Sequence, residues 1–416
     1  MWPRPRWVLL LAAATCLLGL ARADRYFGTL YRGWDAQFYY AAARSIAFDR
    51  DLDVTNDLLL TPAPAPFDPD RDGTFRNAPR HPDGRIWSKY PIGMSLTEAP
   101  LMAGGSMVRR IAEAAGFRSS APPGYSAIEL WSVALGLTLA FAAGFAALYR
   151  LLAEEYGPTA ALLGAVGAWG GTSLLYYSAV FPFMAHPVSF ALLVAVMRLA
   201  KGLASGERLN ARLTLLGLCL GAIFLVRPQQ VCIAVFLIPL ATRIVRMRPI
   251  ANWIPGLVAG AALGTAAVAL QLAFNVSQVG TMTLSGYAAG GEGFHWLSPN
   301  LSVVLLSQAR GLLVYSPIVV LAVAAHIRFG KSIPGYAWAA AGNAAAQVYI
   351  IAAWSSPEQG DAFGARMWSD NAASVAVGLA AMFGRGSTAF KWIVGVAVAA
   401  SVAWTAVLMM RYIAGG

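Results

Sequence analysis

Apolar residues in this chain come in long runs separated by short polar breaks, a pattern unlike the spaced apolar stripes of a soluble fold. In hydrocarbon every backbone group must be paired within its own segment, so such runs become helices, and about 17–25 residues cross a bilayer. Eleven candidate spans result, at residues 7–21, 126–150, 159–179, 183–200, 212–226, 229–245, 253–274, 311–327, 333–353, 368–384 and 390–410. Arg227-Pro228 separates two of them, which can equally be read as one broken helix. The expected fold class is an all-α polytopic membrane protein with a structured first outer loop. Its parts are a first transmembrane helix at 1–22, the outer loop at 23–125 and a helix bundle at 126–416.

The 23–125 stretch has its own pattern. Aromatic residues between Tyr26 and Phe48 have helical spacing, and Asp49 to Asp57 reads as a polar break. Thr61-Pro62-Ala63-Pro64-Ala65-Pro66 is an extended polyproline-like strap. Asp83-Gly84, followed by alternating residues to Tyr90, predicts a small hairpin. Residues 93–116 read as a helix lying at the membrane interface, because Glu98, Arg109, Arg110 and Glu113 would be costly within a span.

Composition sharpens the picture. The 416 residues are 58% apolar and 12% charged, against about 45–50% and about 25% in soluble domains, which excludes a soluble globule. The net charge of +11 raises the question of a nucleic-acid partner. Its cations, however, sit in short clusters between apolar runs and form no basic, aromatic-interleaved patch, so no nucleic acid is expected and membrane lipids are. With the N-terminus inside, the inner segments hold 14 cations and three acids (Glu154, Glu155 and Glu207). That asymmetry fits the enrichment of Lys and Arg in inner loops and places residues 23–125 outside. Arg4, Arg6, a short apolar core and Ala21-Arg22-Ala23 also allow a cleaved signal peptide, with the same outcome for the loop.

Cys16, Cys219 and Cys232 lie in apolar runs and read as buried, structural residues. Asp68-x-Asp70-x-Asp72-Gly73 resembles a calcium loop but has Pro79 where the bidentate Glu belongs, so a solvated acidic turn is favoured. Asn275-Val276-Ser277 matches a glycosylation tripeptide of the kind that is common by chance.

Chemistry is sought where ionisable groups meet the outer ends of apolar runs. Asp35 is flanked by aromatics in Gly33-Trp34-Asp35-Ala36-Gln37-Phe38-Tyr39-Tyr40, surroundings that suit a partly desolvated general base. Lys89 and Tyr90, in Ser88-Lys89-Tyr90-Pro91-Ile92-Gly93, place a cation at the start of the interfacial helix, suited to a phosphate. Arg227 and Arg310 occupy outer ends where a cation calls for an anionic partner, with snorkelling as the alternative. His186, Glu292 and His295 add titratable groups on the same side. Gly360-Asp361-Ala362-Phe363-Gly364-Ala365-Arg366 joins close-approach glycines to Asp361 and Arg366.

In this order, Asp35 with Tyr39-Tyr40, Ser88 to Gly93 with Ala99-Pro100, Arg227-Pro228, Arg310-Gly311-Leu312-Leu313 with Ser316-Pro317, and Gly360 to Arg366 resemble the GT-C superfamily of polytopic glycosyltransferases. The likeness is to bacterial members akin to the protein O-mannosyltransferases and the aminoarabinose transferase of lipid A. It implies a GT-C-like bundle of about eleven helices in a bacterial cytoplasmic (inner) membrane, using a polyprenyl-phosphate-linked sugar and a lipid, glycan or protein acceptor. Asp35 is then the catalytic carboxylate, standing alone before Ala36 where relatives carry an acidic pair. Lys89, Arg227, Arg310 and Arg366 are expected at the donor phosphate, and Tyr39, Tyr40, Tyr90, His186, Glu292, His295 and Asp361 around the substrates. A divalent cation is left open, and no other cofactor is expected. The alternatives are a lipid or small-molecule transporter or flippase, and a non-enzymatic envelope assembly factor.

The orientation is testable in a cysteine-free background. A cysteine at Ser88 should react with a membrane-impermeant thiol reagent added outside, and one at Ser205 should not; labelling at Ser205 alone would reverse the topology.

Overall fold

The computed structural model describes Ala14, residues 34–60 and residues 78–415. Among these residues the fold is all-α: no strand forms, and the only ladder-like pairings are isolated bridges at Arg80/Ile86 and Phe294/Trp354. The first candidate span, the polyproline strap and the Asp68–Gly73 loop lie outside the described residues.

Among the described residues five helices are long and apolar enough to cross a membrane: Ala127–Tyr156, His186–Ser205, Leu209–Val226, Ile254–Val279 and Thr388–Ala414. A sixth is possible if Pro228–Phe236 and Ile238–Arg246, bent by 43° at Leu237, act together. Among the described residues, which leave out the 7–21 run, the remaining ten are not reached; the 333–353 run forms one helix, Gly335–Ala353, that is not counted among the five, and three other runs are interrupted locally. The run at 159–179 is split into Pro158–Gly170 and Leu174–Ala179 by a Gly-Gly-Thr-Ser turn. The run at 311–327 is broken at Ser316-Pro317, and the run at 368–384 opens with a 3-10 turn, Arg366–Asn371. Proline removes a helix hydrogen bond and glycine weakens the helix, so each of these three runs holds more than one element.

The segment before the bundle follows its sequence pattern. Trp34–Arg44 is a helix continued by a π-turn, and the helix Thr55–Leu60 begins within the expected Asp49–Asp57 break, which is therefore shorter than its sequence suggests. The Asp83-Gly84 turn closes only one bridge, with Gly84 at φ 87°, so the hairpin is short. Arg44 ties this segment down: it pairs with Asp49 at 2.8 Å and with buried Asp57, and its Nε donates to the Pro123 carbonyl at 2.8 Å. Next to it, Ser126 and Glu129 form a capping box that starts the 30-residue Ala127–Tyr156 helix. At 1.5 Å per residue this helix is about 45 Å long. Its far end lies beside the Glu154, Glu155, Arg198 and Lys201 ion-pair cluster, well removed from the Arg44 knot.

Gly93–Ala114 forms the expected helix, and its buried face carries Glu98, whose two carboxylate oxygens have no hydrogen-bond partner. Burial pushes this carboxyl well above the usual carboxylate range. Ser88 is buried, so the outer labelling reporter is better placed at exposed Ser120. Because Glu98 stays protonated in the fold at pH values where it ionises in the unfolded chain, its contribution is fully present below about pH 4.3. That contribution is lost as pH rises towards the folded value. Glu98→Gln should therefore flatten the fall in thermal midpoint between pH 5 and 9; curves parallel to wild type would refute the neutral buried acid.

Candidate functional site

A cavity of about 1670 Å³ opens at the end of the bundle that carries the 34–60 segment. Nine of the twelve candidate residues line it: Asp35, Tyr39, Lys89, Tyr90, His186, Arg227, Glu292, Asp361 and Arg366. They come from six separate stretches of chain, brought together only by folding.

Asp35 sits in the first turn of Trp34–Arg44, and both its oxygens are engaged. The Tyr90 hydroxyl donates to Oδ1 at 2.8 Å, and Nη1 of Arg366 lies 3.1 Å from Oδ2. Tyr39, one turn further along, shares that face and meets the Tyr90 ring edge-on at 5.5 Å. Burial, reinforced by the Asp35 charge, raises the Tyr39 and Tyr90 phenols, so both are neutral hydrogen-bond donors near pH 7.

Lys89 pairs with Glu292, and its ammonium lies 5.7 Å from the Tyr90 ring centre and 5.4 Å from that of Tyr287. Its backbone is pinned from two sides. Ser88 N–H and Ile92 N–H donate to Gln278 and Gln271 of the Ile254–Val279 helix at 2.9 and 3.1 Å. Two glycines allow the close approach: a Cβ on Gly93 would meet the Leu225 backbone at 2.4 Å, and one on Gly286 the Lys89 carbonyl oxygen at 2.5 Å.

Arg227, just past Leu209–Val226, belongs to a buried polar network. Its Nε is 3.0 Å from Oδ2 of Asp370, its Nη2 donates to the Met367 carbonyl at 2.8 Å, and its Nη1 lies 3.0 Å from Nδ1 of His186. Asp370 was not among the sequence candidates. The signal was present, since it is an ionisable residue inside an apolar run. The cations lining the cavity among the described residues are thus Lys89, Arg227 and Arg366, and each stands against a carboxylate.

Apolar side chains make up much of the rest of the lining, among them Phe224, Val226, Leu284, Ile350, Ile351 and Trp354. Phe294 and Trp296 stack at 4.7 Å and stay about half exposed.

Three candidates lie elsewhere. Tyr40 is about 100° round the helix from Tyr39; its ring is buried and its hydroxyl donates to the Gly124 carbonyl, so it braces the segment and does not face the cavity. His295 is exposed, and its backbone N–H donates to the Ala353 carbonyl at 2.5 Å. Arg310 reaches the carbonyls of Ala362 and Glu358 at 3.3 and 3.4 Å and Asp361 at 3.7 Å, so it braces the loop that bears Asp361. Asn275 is buried, with its amide donating to Thr283, and offers no accessible acceptor for a glycan. Among the described residues no three His, Cys, Asp or Glu side chains converge on a metal-sized site.

No protein-family model matches the chain, and no curated protein matches it.

The glycine contact gives a direct check. Gly286→Val should displace the Lys89 backbone and cost about 1–3 kcal/mol, read as a lower thermal midpoint in detergent, whereas Gly104→Ala, with nothing within 4 Å of its Cβ, should not lower it. Equal midpoints for Gly286→Val and wild type would contradict the tight packing.

Proposed function

We propose that this chain is an integral-membrane glycosyltransferase of the GT-C type that moves a sugar from a polyprenyl-phosphate donor to an acceptor at the outer face of a bacterial cytoplasmic membrane. The single observation that carries the reading is Asp35, held between the Tyr90 hydroxyl and the Arg366 guanidinium in a cavity lined by both charged and apolar side chains. The broken helices described above count, in this reading, as parts of eleven crossings with the N-terminus inside and the cavity outside.

The chemistry needs few groups. A phosphate is a good leaving group, so one base suffices. Asp35 accepts the proton of the acceptor hydroxyl as its oxygen forms a bond to the anomeric carbon. The bond from that carbon to the phosphate oxygen breaks on the opposite side, inverting the centre, and the lipid phosphate leaves with the electron pair. Arg366 and Lys89 stabilise the charge that grows there. The apolar lining residues, Phe224, Val226, Ile350 and Ile351 among them, suit the prenyl chain.

The charge pairs add a condition. A phosphodiester entering the cavity competes with Glu292 for Lys89 and with Asp35 for Arg366. Loosening the second pair would release Asp35 as a base only when donor is present.

The test is transfer from polyprenyl-phosphate hexoses to acceptors of a membrane extract, using purified variants. Asp35→Asn should lower turnover about 10²–10⁴-fold with the donor still bound. Lys89→Ala should raise the donor KM more than it lowers kcat, because its attraction to the phosphate is already present in the ground state. Near wild-type turnover in Asp35→Asn would remove the base assignment and favour the transporter reading.

A further inference from the structure

Behind the cavity lies a carboxylate that the reaction above does not use. Asp370, in the 3-10 turn Arg366–Asn371, is fully buried, and three side chains from other elements converge on it. Nδ1 of His186 is 2.8 Å from Oδ1, and Nε of Arg227 and Nε2 of Gln230 are 3.0 and 3.1 Å from Oδ2. Gln230 is itself fixed, because its Oε1 accepts from Asn343 at 2.8 Å and Asn343 also donates to Asn371 at 2.8 Å. Of the groups that Asp370 holds, His186 and Arg227 line the cavity.

We infer that Asp370 is a positioning residue that locks the His186 ring and the Arg227 guanidinium into one unit and so holds Arg227 on the cavity wall for the lipid phosphate. Two acceptors cannot stand 2.8 Å apart without a proton between them, so the hydrogen of the neutral ring is on Nδ1 and Nε2 keeps its lone pair. Nη1 of Arg227, although 3.0 Å from Nδ1, finds no acceptor there, and it is 3.5 Å from Nε2, at the limit of a hydrogen bond. Nε and Nη2 of Arg227 are bound to Asp370 and to the Met367 carbonyl, so the guanidinium is not free to turn. Arg227 is thereby fixed on the cavity wall, its guanidinium held by Asp370 and the Met367 carbonyl. The choice of a lipid phosphate as the ligand of that cation rests on the proposed function; the locking of the ring does not.

The full-length protein, labelled with ¹⁵N-histidine in phosphatidylglycerol/phosphatidylethanolamine nanodiscs, tests the inference by NMR. His186, assigned by the signal lost in His186→Gln, should show the Nδ1–H tautomer and lose that pattern in Asp370→Asn. His326, whose Nδ1 faces the Ala322 carbonyl at 2.8 Å, is the internal reference that should not move. Asp370→Asn leaves a buried guanidinium uncompensated, so Arg227→Gln/Asp370→Asn, which removes both charges, is measured beside it and should lose the pattern too. An unchanged His186 tautomer in either folded variant, or an Nε2–H tautomer in wild type, overturns the inference. Undecaprenyl phosphate binding, followed by its shift of the thermal midpoint, separates the two claims. Binding to Asp370→Asn should be about tenfold weaker than to wild type, and equal affinity overturns the hold on Arg227. A wild-type protein that does not bind the lipid phosphate refutes the donor reading, while the tautomer result still decides the role of Asp370.

Discussion

Charge in an apolar bundle has to be paired, and this constraint organises the cavity end of the molecule. Lys89, Arg227 and Arg366 each meet a carboxylate from a distant part of the chain, Glu292, Asp370 and Asp35 respectively. An isolated ion in such surroundings pays a heavy desolvation penalty, and losing one partner of a buried pair leaves the other uncompensated. The pairs thus act as three long-range ties, joining the 34–44 helix, the 88–92 segment, the loop at Glu292, the end of Leu209–Val226 and the 366–371 turn around one space. Glu98 is the exception that follows the same rule. It has no partner, and burial keeps it in the uncharged form.

The ties work because backbones come close. The 88–92 segment lies against the end of Leu209–Val226 and under the Gly286–Ala289 turn, at distances that leave no room for a Cβ. Glutamines of the Ile254–Val279 helix then satisfy its N–H groups, which would otherwise be buried without partners. Lys89 is therefore aimed by packing and hydrogen bonding of the main chain before any side-chain charge is considered. The same economy appears at Arg227, where a helix ends, Pro228 follows, and a 3-10 turn supplies Gln230 to Asp370.

A cavity whose cations are already neutralised behaves differently from an open basic patch. An anionic ligand of the kind proposed would have to enter by exchange, taking the place of Glu292 or Asp35, so that its binding and the release of a carboxylate would be linked. That linkage gives the proposed glycosyl transfer a way to keep its base in reserve. It also explains why a net charge of +11 on the chain does not translate into a basic site.

The sequence by itself determined the class and the neighbourhood. Long apolar runs in a chain with 12% charged residues leave helices as the available structure, and the described residues are all-α. Ionisable and aromatic residues at the ends of those runs were legible as candidates, because charge inside an apolar run needs a reason. Helical spacing linked Asp35 to Tyr39, yet it could not tell which face Tyr40 would take, since a buried brace and a cavity wall are equally aromatic. Only the tertiary structure decided the partners. Arg310 turned to brace a loop, His295 stayed outside, and Asp370, hidden in an apolar run, became the anchor of Arg227 and His186. Side-chain reach and pairing across the bundle depend on how helices pack, and no local pattern of residues encodes the distance between two helices.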